Sequence, residues 1–258
     1  QWVWVHPIKC ALVPMPCTVI LPRRPGMTTW LHADRMRPWL IGLLGCCAAS
    51  ALGAPHDHAP PVVLAPGYEE LQFVPPAAGS YQLPSMGAAA DGPTLDTLGE
   101  PGRLYDFLGD KATVLSFIFT TCNDVNGCPL ATYVMSGVQK AVLKDPDLVD
   151  QVRIVSFSFD PENDTPEVLG RYGDQFRAEG FDWEFVTTAS EDSLRPTLDA
   201  YDQWVIRDYD EAGNYLGTMS HILRVYLIDG DRRIRNIYST SYLHADTVVN
   251  DLRTLLMQ

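Results

Sequence analysis

The apolar run Ala112–Thr120 (ATVLSFIFT) constrains the fold of this chain more than any other segment. Its β-branched and aromatic residues follow one another without polar alternation, which is typical of a strand buried on both faces. Such strands occur in parallel sheets that helices cover on both sides. A second run of the same kind, Val152–Phe159, supports an α/β domain.

The segments around these two strands complete a recognisable order of elements. Apolar residues recur four positions apart on one side of Pro129–Lys144, which predicts a helix with a proline in its first turn. The other predicted elements are a hairpin over Asp96–Tyr105, a helix capped by Asp164 or Thr165 and running to about Glu179, a strand Trp183–Thr187, a helix from Ser190 through Leu198, strands Trp204–Ile206, Leu223–Ile228 and Ile234–Tyr238, and a helix His244–Leu256. A parallel strand–helix half followed by an antiparallel half matches the thioredoxin plan. We therefore predict an α/β, thioredoxin-like fold over residues 92–258, with a central mixed sheet flanked by helices.

Residues 1–53 do not fit this plan and are predicted to be upstream sequence and a signal or anchor segment. Arg35 and Arg37 precede an apolar run, Trp39–Leu52, and small residues follow it. This is the layout of a secretory signal. The run has 14 residues, fewer than the roughly 20 that span a bilayer as a helix. We expect export to a bacterial periplasm, with membrane contact only through this segment.

Two ways of processing the segment stay open. Leu43–Cys46 resembles a bacterial lipobox, which would make Cys46 a lipidated N-terminus and leave the protein membrane-tethered. Otherwise a signal peptidase cuts after Ala51 or Gly53. Residues 54–91 are rich in proline, alanine and glycine and are predicted to be a flexible tether.

The charge of the chain excludes one class of partner. Of the 19 basic and 32 acidic residues, five basic and one acidic residue lie in residues 1–53, so the remainder carries a net charge of −17. A surface of that sign repels phosphate backbones. We therefore expect no nucleic acid among the partners.

The cysteines indicate a single candidate site for redox chemistry or metal binding. Of the six cysteines, four lie in the predicted signal region, so the predicted domain keeps only Cys122 and Cys128. In an oxidising compartment such a pair is a disulfide or a reactive or metal-binding dithiol. A structural disulfide closing so short a loop stabilises little. The pair joins the first buried strand to its helix, at the sheet edge where ligands collect in open α/β sheets.

The loop itself indicates reactive thiols. Cys128 is predicted at the N-cap of the helix, where unpaired N–H groups and the helix dipole favour the thiolate. Gly127 relaxes the loop, so that Cys122 can turn toward Cys128.

His221 is the third candidate. It is predicted to begin the strand that runs to Ile228, and in thioredoxin-like folds the loop entering that strand lies against the cysteine loop. A lone histidine is more often a core or surface residue than a ligand. Redox enzymes of this fold usually place a cis-proline here, however, and this chain has none.

Two thiolates and one imidazole suit copper. Soft thiolates select Cu(I), and imidazole also suits Cu(II). A structural zinc site would usually have a fourth protein ligand. Asp124 and Met219 are the neighbouring candidates, and neither lies at a persuasive spacing.

The remaining polar and aromatic candidates have simpler interpretations. His56 and His58 lie in the predicted tether and are expected to be solvated rather than ligands. Asp160, at the end of the second strand, is predicted to cap the following turn rather than to orient the cysteine loop. His244 is predicted to be structural or solvated. The tryptophans at 183 and 204 and the aromatic residues near position 201 are predicted to be core.

Three motifs together resemble one family. They are the Cys122…Cys128-Pro loop after a buried strand, the block Ser158–Glu167 (SFDPENDTPE), and His221 heading Tyr226–Asp229 (YLID). In this order they are similar to SCO/SenC proteins, which are membrane-tethered, thioredoxin-like copper chaperones that help load the binuclear copper centre of cytochrome c oxidase. The resemblance covers roughly residues 91–258.

The resemblance implies copper-ligand roles for Cys122, Cys128 and His221. Two departures indicate a divergent member. Five residues separate the cysteines where the family usually has three, and Ser220 stands where an aspartate often precedes the histidine. Without that aspartate, control of the imidazole must come from elsewhere or be weaker.

The resulting hypothesis is a copper metallochaperone for cytochrome c oxidase assembly rather than an enzyme. Its implied partners are the copper-bearing subunit of the oxidase or another copper chaperone. The alternative is a thiol–disulfide oxidoreductase that reduces an acceptor's cysteines, with Cys128 attacking as the predicted lower-pKa thiol. A peroxidase is disfavoured, because the arginine that such sites use has no clear counterpart.

Overall fold

The computed structural model of the protein describes Tyr68 and residues 71–258. The predicted signal segment, including Cys46, lies outside these residues, as do His56 and His58. Within the described part of the chain, no helix is long and apolar enough to cross a membrane.

The described residues form ten strands, and six of these make up the mixed central sheet. A central mixed sheet was predicted. The strands are, in chain order, β1 (Gly87–Ala88), β2 (Pro93–Leu95), β3 (Pro101–Arg103), β4 (Ala112–Ile118), β5 (Val152–Ser158), β6 (Trp183–Val186), β7 (Val205–Tyr209), β8 (Tyr215–His221), β9 (Arg224–Ile228) and β10 (Arg233–Ser239). The helices are α1 (Cys128–Val142), α2 (Pro166–Gly173), α3 (Glu191–Ala200) and α4 (Ala245–Leu256). The central sheet has the order β1-β10-β9-β4-β5-β6. Strands β4, β5 and β6 are parallel, whereas β9 and β10 run antiparallel, so the predicted join of two halves is confirmed.

Strand β4 lies in the middle of this sheet, and all of its residues are buried. It pairs with β5 on one side and β9 on the other, which satisfies its backbone. Helices α1 and α4 pack against each other and against β4. Phe117 of β4 contacts the rings of Tyr201 and Tyr226. The continuous apolar run is therefore explained by burial on both faces.

Helix α2 is shorter than predicted. It begins after Thr165, whose hydroxyl accepts from the Val168 N–H at 3.4 Å, and it ends at Gly173 rather than near Glu179. The buried side chain of Gln139 in α1 explains the early end. Its amide donates to the Phe176 carbonyl at 2.8 Å and accepts from the Ala178 N–H at 3.0 Å. These tertiary hydrogen bonds replace those that a longer helix would make.

Strands β7 and β8 form a hairpin of their own, which we call the β7–β8 hairpin. The sequence predicted only the start of β7. His221 ends β8 instead of beginning the next strand, which starts at Arg224, so that prediction was wrong. Trp204, predicted as core, is 64% exposed because the hairpin does not join the central sheet. Trp183, by contrast, is buried as predicted, and its indole N–H donates to Ser156 at 3.1 Å.

The described end of the predicted tether packs on the domain, and we call residues 71–91 the N-terminal strap. Strand β1 in the strap pairs antiparallel with β10, and Leu83 and Ala89 are buried. The Tyr81 hydroxyl donates to Asp251 of α4. Packing against the sheet therefore begins upstream of residue 92.

Candidate metal centre

The two predicted thiols flank the loop between β4 and α1. Gly127 is the N-cap of α1 and Cys128 is its first residue, so the predicted cap position is wrong by one residue. Cys128 is only 1% exposed, and its Sγ accepts a hydrogen bond from the Phe119 N–H at 3.4 Å. Cys122 is half-buried, and its own N–H donates to the Phe119 carbonyl at 3.3 Å. The end of β4 thus fixes both ends of the loop.

The two thiols differ in acidity, in the opposite sense to the prediction. A hydrogen bond from Cys128 is the main cause that lowers the pKa of Cys122 to about 6. Burial raises the pKa of the Cys128 thiol well above its usual value. The sequence placed the thiolate on Cys128 because of the helix N-terminus, but loss of hydration there outweighs the helix dipole. Cys122 is therefore the thiolate and Cys128 the proton donor.

His221 reaches the cysteine loop from the end of β8. Its Nε2 lies 3.6 Å from the Cys128 Sγ, and its Nδ1 lies 3.1 Å from the Met219 carbonyl oxygen. A carbonyl can only accept, so Nδ1 donates this hydrogen bond, and Nε2 is the ring nitrogen that faces the sulfur. Ser220 does not take part, because its hydroxyl donates to Asp208 at 2.8 Å. The control that an aspartate often supplies comes here from a backbone carbonyl.

The imidazole sits in a fitted space. The ring centroids of Phe119 and Phe159 lie 5.6 and 5.2 Å from that of His221. On the loop side, a Cβ at Gly127 would lie 3.1 Å from the imidazole Nε2 and 3.3 Å from its Cε1. Gly127 therefore allows the close approach of the ring, a role beyond the loop flexibility predicted for it.

The geometry brings all three predicted ligands together. The Sγ atoms of Cys122 and Cys128 and a ring nitrogen of His221 lie within 4.8 Å of one another. A metal bound about 2.0–2.3 Å from each donor separates the donors by roughly 4 Å, so the set fits one ion after a small closure. No other group of three or more histidine, cysteine or acidic side chains in residues 71–258 is so placed. Asp124 is not part of the group, and its carboxylate accepts from the Asn126 N–H at 3.0 Å.

Asp164 is a residue that sequence reasoning assigned only to helix capping. Its fully buried carboxylate accepts from the Thr120 N–H at 3.0 Å, from the Thr120 hydroxyl and from the Ser158 hydroxyl at 2.6 Å. It thereby ties the ends of β4 and β5 together beside the cysteine loop. Its place in the Asp-Pro-Glu-Asn-Asp-Thr-Pro-Glu block was the only signal in the sequence.

Asp160 and His244 have the structural roles that were predicted for them. The Asp160 carbonyl accepts from the Asn163 and Asp164 N–H groups at 3.1 and 2.8 Å, and its carboxylate accepts from the Asn163 side chain at 2.8 Å. His244 is the N-cap of α4 and stacks on Tyr68 with the ring centroids 4.8 Å apart. Neither residue belongs to the group of three candidate ligands.

Comparison with known proteins gives a consistent result. The model of the SCO1/SenC family matches residues 94–257. A protein of Bacillus subtilis (strain 168) described as an SCO1 protein homolog is 29% identical over 152 residues, which cover 57% of this chain and 72% of that protein.

Two solved structures extend the comparison. The crystal structure of a SCO1/SenC family lipoprotein from Bacillus anthracis str. Ames is 26% identical, with a TM-score of 0.55 over 66% of this chain and 95% of that one. The structure of Bradyrhizobium japonicum ScoI with copper bound is 25% identical, with a TM-score of 0.53 over 65% of this chain and 99% of that one. The predicted thioredoxin-like fold is confirmed.

Proposed function

Because the chain belongs to the SCO1/SenC family, we propose that it is a copper chaperone that helps assemble the copper centre of cytochrome c oxidase. In this proposal Cys122, Cys128 and His221 hold the copper as cargo. The observation that carries it is the convergence of the three donor atoms within 4.8 Å. The copper bound to Bradyrhizobium japonicum ScoI adds support from a relative.

The protonation of the donor groups suits the uptake of copper by this protein from a carrier. Cys122 offers a thiolate at neutral pH, because its pKa is lowered to about 6. Copper replaces the proton that the Cys128 thiol shares with Cys122, so loading releases this proton. The Nε2 of His221 already faces the Cys128 Sγ at 3.6 Å, and the hydrogen bond between its Nδ1 and the Met219 carbonyl fixes the orientation of the ring.

The same donor set suits release. Three donors leave a coordination position open, and half-buried Cys122 lies on the accessible side. A donor from the acceptor enters at that position, and the protein ligands leave one at a time by ligand exchange. We propose the copper-bearing subunit of the oxidase as the acceptor, with another copper chaperone as the source.

We further propose that the protein is exported to a bacterial periplasm and held at the membrane through residues 1–53, by lipid on Cys46 or by the uncleaved segment. The basic flank and apolar run support this, and one solved relative is described as a lipoprotein. Mass spectrometry of the mature N-terminus distinguishes a lipidated Cys46 and an uncleaved segment, which both support the tether, from cleavage after Ala51 or Gly53, which contradicts it.

Competition titration with Cu(I) and a chelator tests the copper site. We expect the wild type to bind one copper, Cys122→Ser and Cys128→Ser to lose binding, and His221→Ala to bind more weakly with a changed spectrum. His244→Ala is the matched control, because that ring caps α4. A wild type that binds no copper, or a His221→Ala variant that binds as tightly with an unchanged spectrum, contradicts the proposal.

One observation favours a second activity, thiol–disulfide reduction. Half-buried Cys122 is the thiolate and Cys128 is the buried thiol beside it. Cys122 would attack an acceptor's disulfide and release one acceptor thiolate. Cys128 would then displace the second acceptor thiolate, leaving a Cys122–Cys128 disulfide on this chain and a dithiol on the acceptor. This order reverses the predicted roles.

A trapping experiment tests this order. Cys128→Ser should accumulate a mixed disulfide between Cys122 and the acceptor, whereas Cys122→Ser should accumulate none. If neither variant forms an adduct and the wild type leaves the acceptor's disulfide intact, the second activity is excluded.

A further inference from the structure

The β7–β8 hairpin carries His221 but shares no backbone pairing with the central sheet. A two-stranded hairpin is marginally stable by itself in water. Its position on the domain therefore depends on contacts of its side chains. This matters for the metal centre, because His221 is the last residue of β8.

The register places one arginine close to the imidazole along the hairpin. Val205 pairs with His221 and Arg207 pairs with Met219. Side chains two residues apart on a strand share a face, so Arg207, Met219 and His221 lie on the same face of the hairpin. The Met219 carbonyl is also the acceptor of the His221 Nδ1–H.

Arg207 joins the hairpin to two other parts of the domain. Its Nε donates to Glu191, the first residue of α3, at 3.0 Å. Its terminal nitrogen donates to Glu162, in the loop after β5, at 3.1 Å. The Arg207 side chain is only 19% exposed, whereas Glu162 and Glu191 are 69% and 41% exposed, so solvent screens the arginine end of these ion pairs less than the carboxylate ends.

A third carboxylate depends on Arg207. The Oδ1 of buried Asp160 has no hydrogen-bond partner among the described residues, and Arg207 lies 3.7 Å from it. A buried carboxylate needs a cation or hydrogen bonds. Asp160 directly follows Phe159, whose ring contacts His221. Arg207 and the His221 ring therefore lie against two consecutive residues of one segment, Asp160 and Phe159 respectively.

Apolar packing anchors the hairpin only in part, because Met219 is buried whereas Ile206 and Tyr209 are exposed. A cleft of about 290 Å³ lies beside it, lined by Phe159, Leu194, Leu198, Ile206 and Met219 among others. Side chains around open space have room to shift, unlike those in a close-packed core. The ion pairs of Arg207 bridge this loosely packed region.

We propose that Arg207 is a positioning residue, which clamps the β7–β8 hairpin to Asp160, Glu162 and Glu191 and thereby sets His221 against Cys128. The inference rests on the proposed role of His221 as a copper ligand. Arg207 does not touch the metal donors and acts through the hairpin alone.

The test compares Arg207→Gln with Arg171→Gln in the full chain. Arg171 also pairs with a glutamate, Glu167, but on the exposed side of α2. We expect Arg207→Gln to weaken Cu(I) binding about tenfold or more, in the range found for residues that orient metal ligands, and to change the Cu(II) spectrum. Arg171→Gln should leave both unchanged. Equal affinity and an unchanged spectrum in Arg207→Gln overturn the proposal.

A second variant separates positioning from stability, because removing Arg207 leaves the Asp160 charge buried without a cation. The double variant Asp160→Asn/Arg207→Gln removes that charge. It should recover much of the thermal stability lost in Arg207→Gln while its copper affinity stays low. Recovery of both shows that Arg207 acts only on stability and overturns the positioning role.

A readout without copper keeps this inference distinct from the proposed function. In the metal-free wild type, NMR should show contacts from the His221 ring to the rings of Phe119 and Phe159. Arg207→Gln should weaken these contacts, and Arg171→Gln should not. If the wild type binds no copper, the proposed function fails, but unchanged ring contacts in Arg207→Gln are still what would refute the clamp.

Discussion

Cys128 and His221 lie 3.6 Å apart, yet the chain holds them in different ways. Cys128 begins α1 after the loop that follows the buried strand β4, and the Phe119 N–H donates to its sulfur. His221 ends an exposed hairpin that is attached through side chains. The backbone of the core therefore fixes the position of Cys128, whereas a few side-chain contacts of the hairpin fix the position of His221. We expect damage to the first to destabilise the whole domain and damage to the second to affect copper binding more than stability.

The largest effect should come from the core beneath the cysteines. Phe117→Ala removes a buried ring that contacts Tyr201 and Tyr226, and should cost about 3–5 kcal/mol of unfolding free energy. Trp204→Ala on the hairpin should change it by no more than about 0.5 kcal/mol, because that ring is exposed. Denaturant unfolding of both variants measures the difference. Equal losses would show that the hairpin belongs to the same cooperative unit as β4.

A smaller loss of unfolding free energy should follow from a substitution where the end of β4 meets the cysteine loop. Asp164→Ala leaves the buried Ser158 hydroxyl without its acceptor, which costs about 1–3 kcal/mol, whereas the part-buried donors of Thr120 can turn to water. We expect both stability and copper affinity to fall. Asp174→Ala, at the exposed C-cap of α2, is the control. Copper binding that survives a large loss of stability would separate the cysteine loop from Asp164.

Gly127→Ala should affect the site with little effect on the fold. The new Cβ would lie 3.1 Å from the imidazole Nε2, so His221 must move away from the loop. We expect copper affinity to fall about tenfold with unfolding free energy changed by less than about 1 kcal/mol. Gly230→Ala, where an added Cβ meets no atom within 4 Å, is the matched control. An unchanged Cu(II) spectrum in Gly127→Ala would contradict this fit.

The smallest effect concerns proton binding in the metal-free protein. The Cys122 thiol has a pKa lowered to about 6, so its alkylation by iodoacetamide should rise with pH and reach half its maximum near pH 6. Buried Cys128, whose pKa is raised, should react far more slowly. Cys128→Ala removes the main cause of the lowered pKa and should move the Cys122 midpoint upward. A midpoint that stays near pH 6 in this variant would assign the shift to another cause.

The contrast between the two sides also decided what the sequence could predict. Runs of apolar residues mark strand β4 and helix α1 in the sequence, because both elements are buried. Their predicted positions agree with the structure to within two residues at each end. Strand β8 combines Gly217, Thr218 and Ser220 with exposed apolar residues, so no alternating pattern marks it. Its existence depends on pairing with β7, which is a property of the folded chain.

The acidities of the two thiols show the same limit. The sequence contains the helix start that favours a thiolate at Cys128, but the burial that opposes it comes from tertiary packing. The clamp by Arg207 was equally invisible, because Asp160, Glu162 and Glu191 are brought to it from two distant segments. The three candidate ligands, in contrast, were predicted from residue type and motif order, and the structure places their donor atoms within 4.8 Å of one another.

The outer strands of the central sheet have a consequence for how partners meet this protein. Strand β1 covers β10 with only two residues, and on the other side Leu95 and Thr187 exchange backbone hydrogen bonds just beyond β6. Beyond Ile234, β10 has no strand partner on its β1 side among the described residues. An unpaired edge offers its backbone groups to an incoming strand.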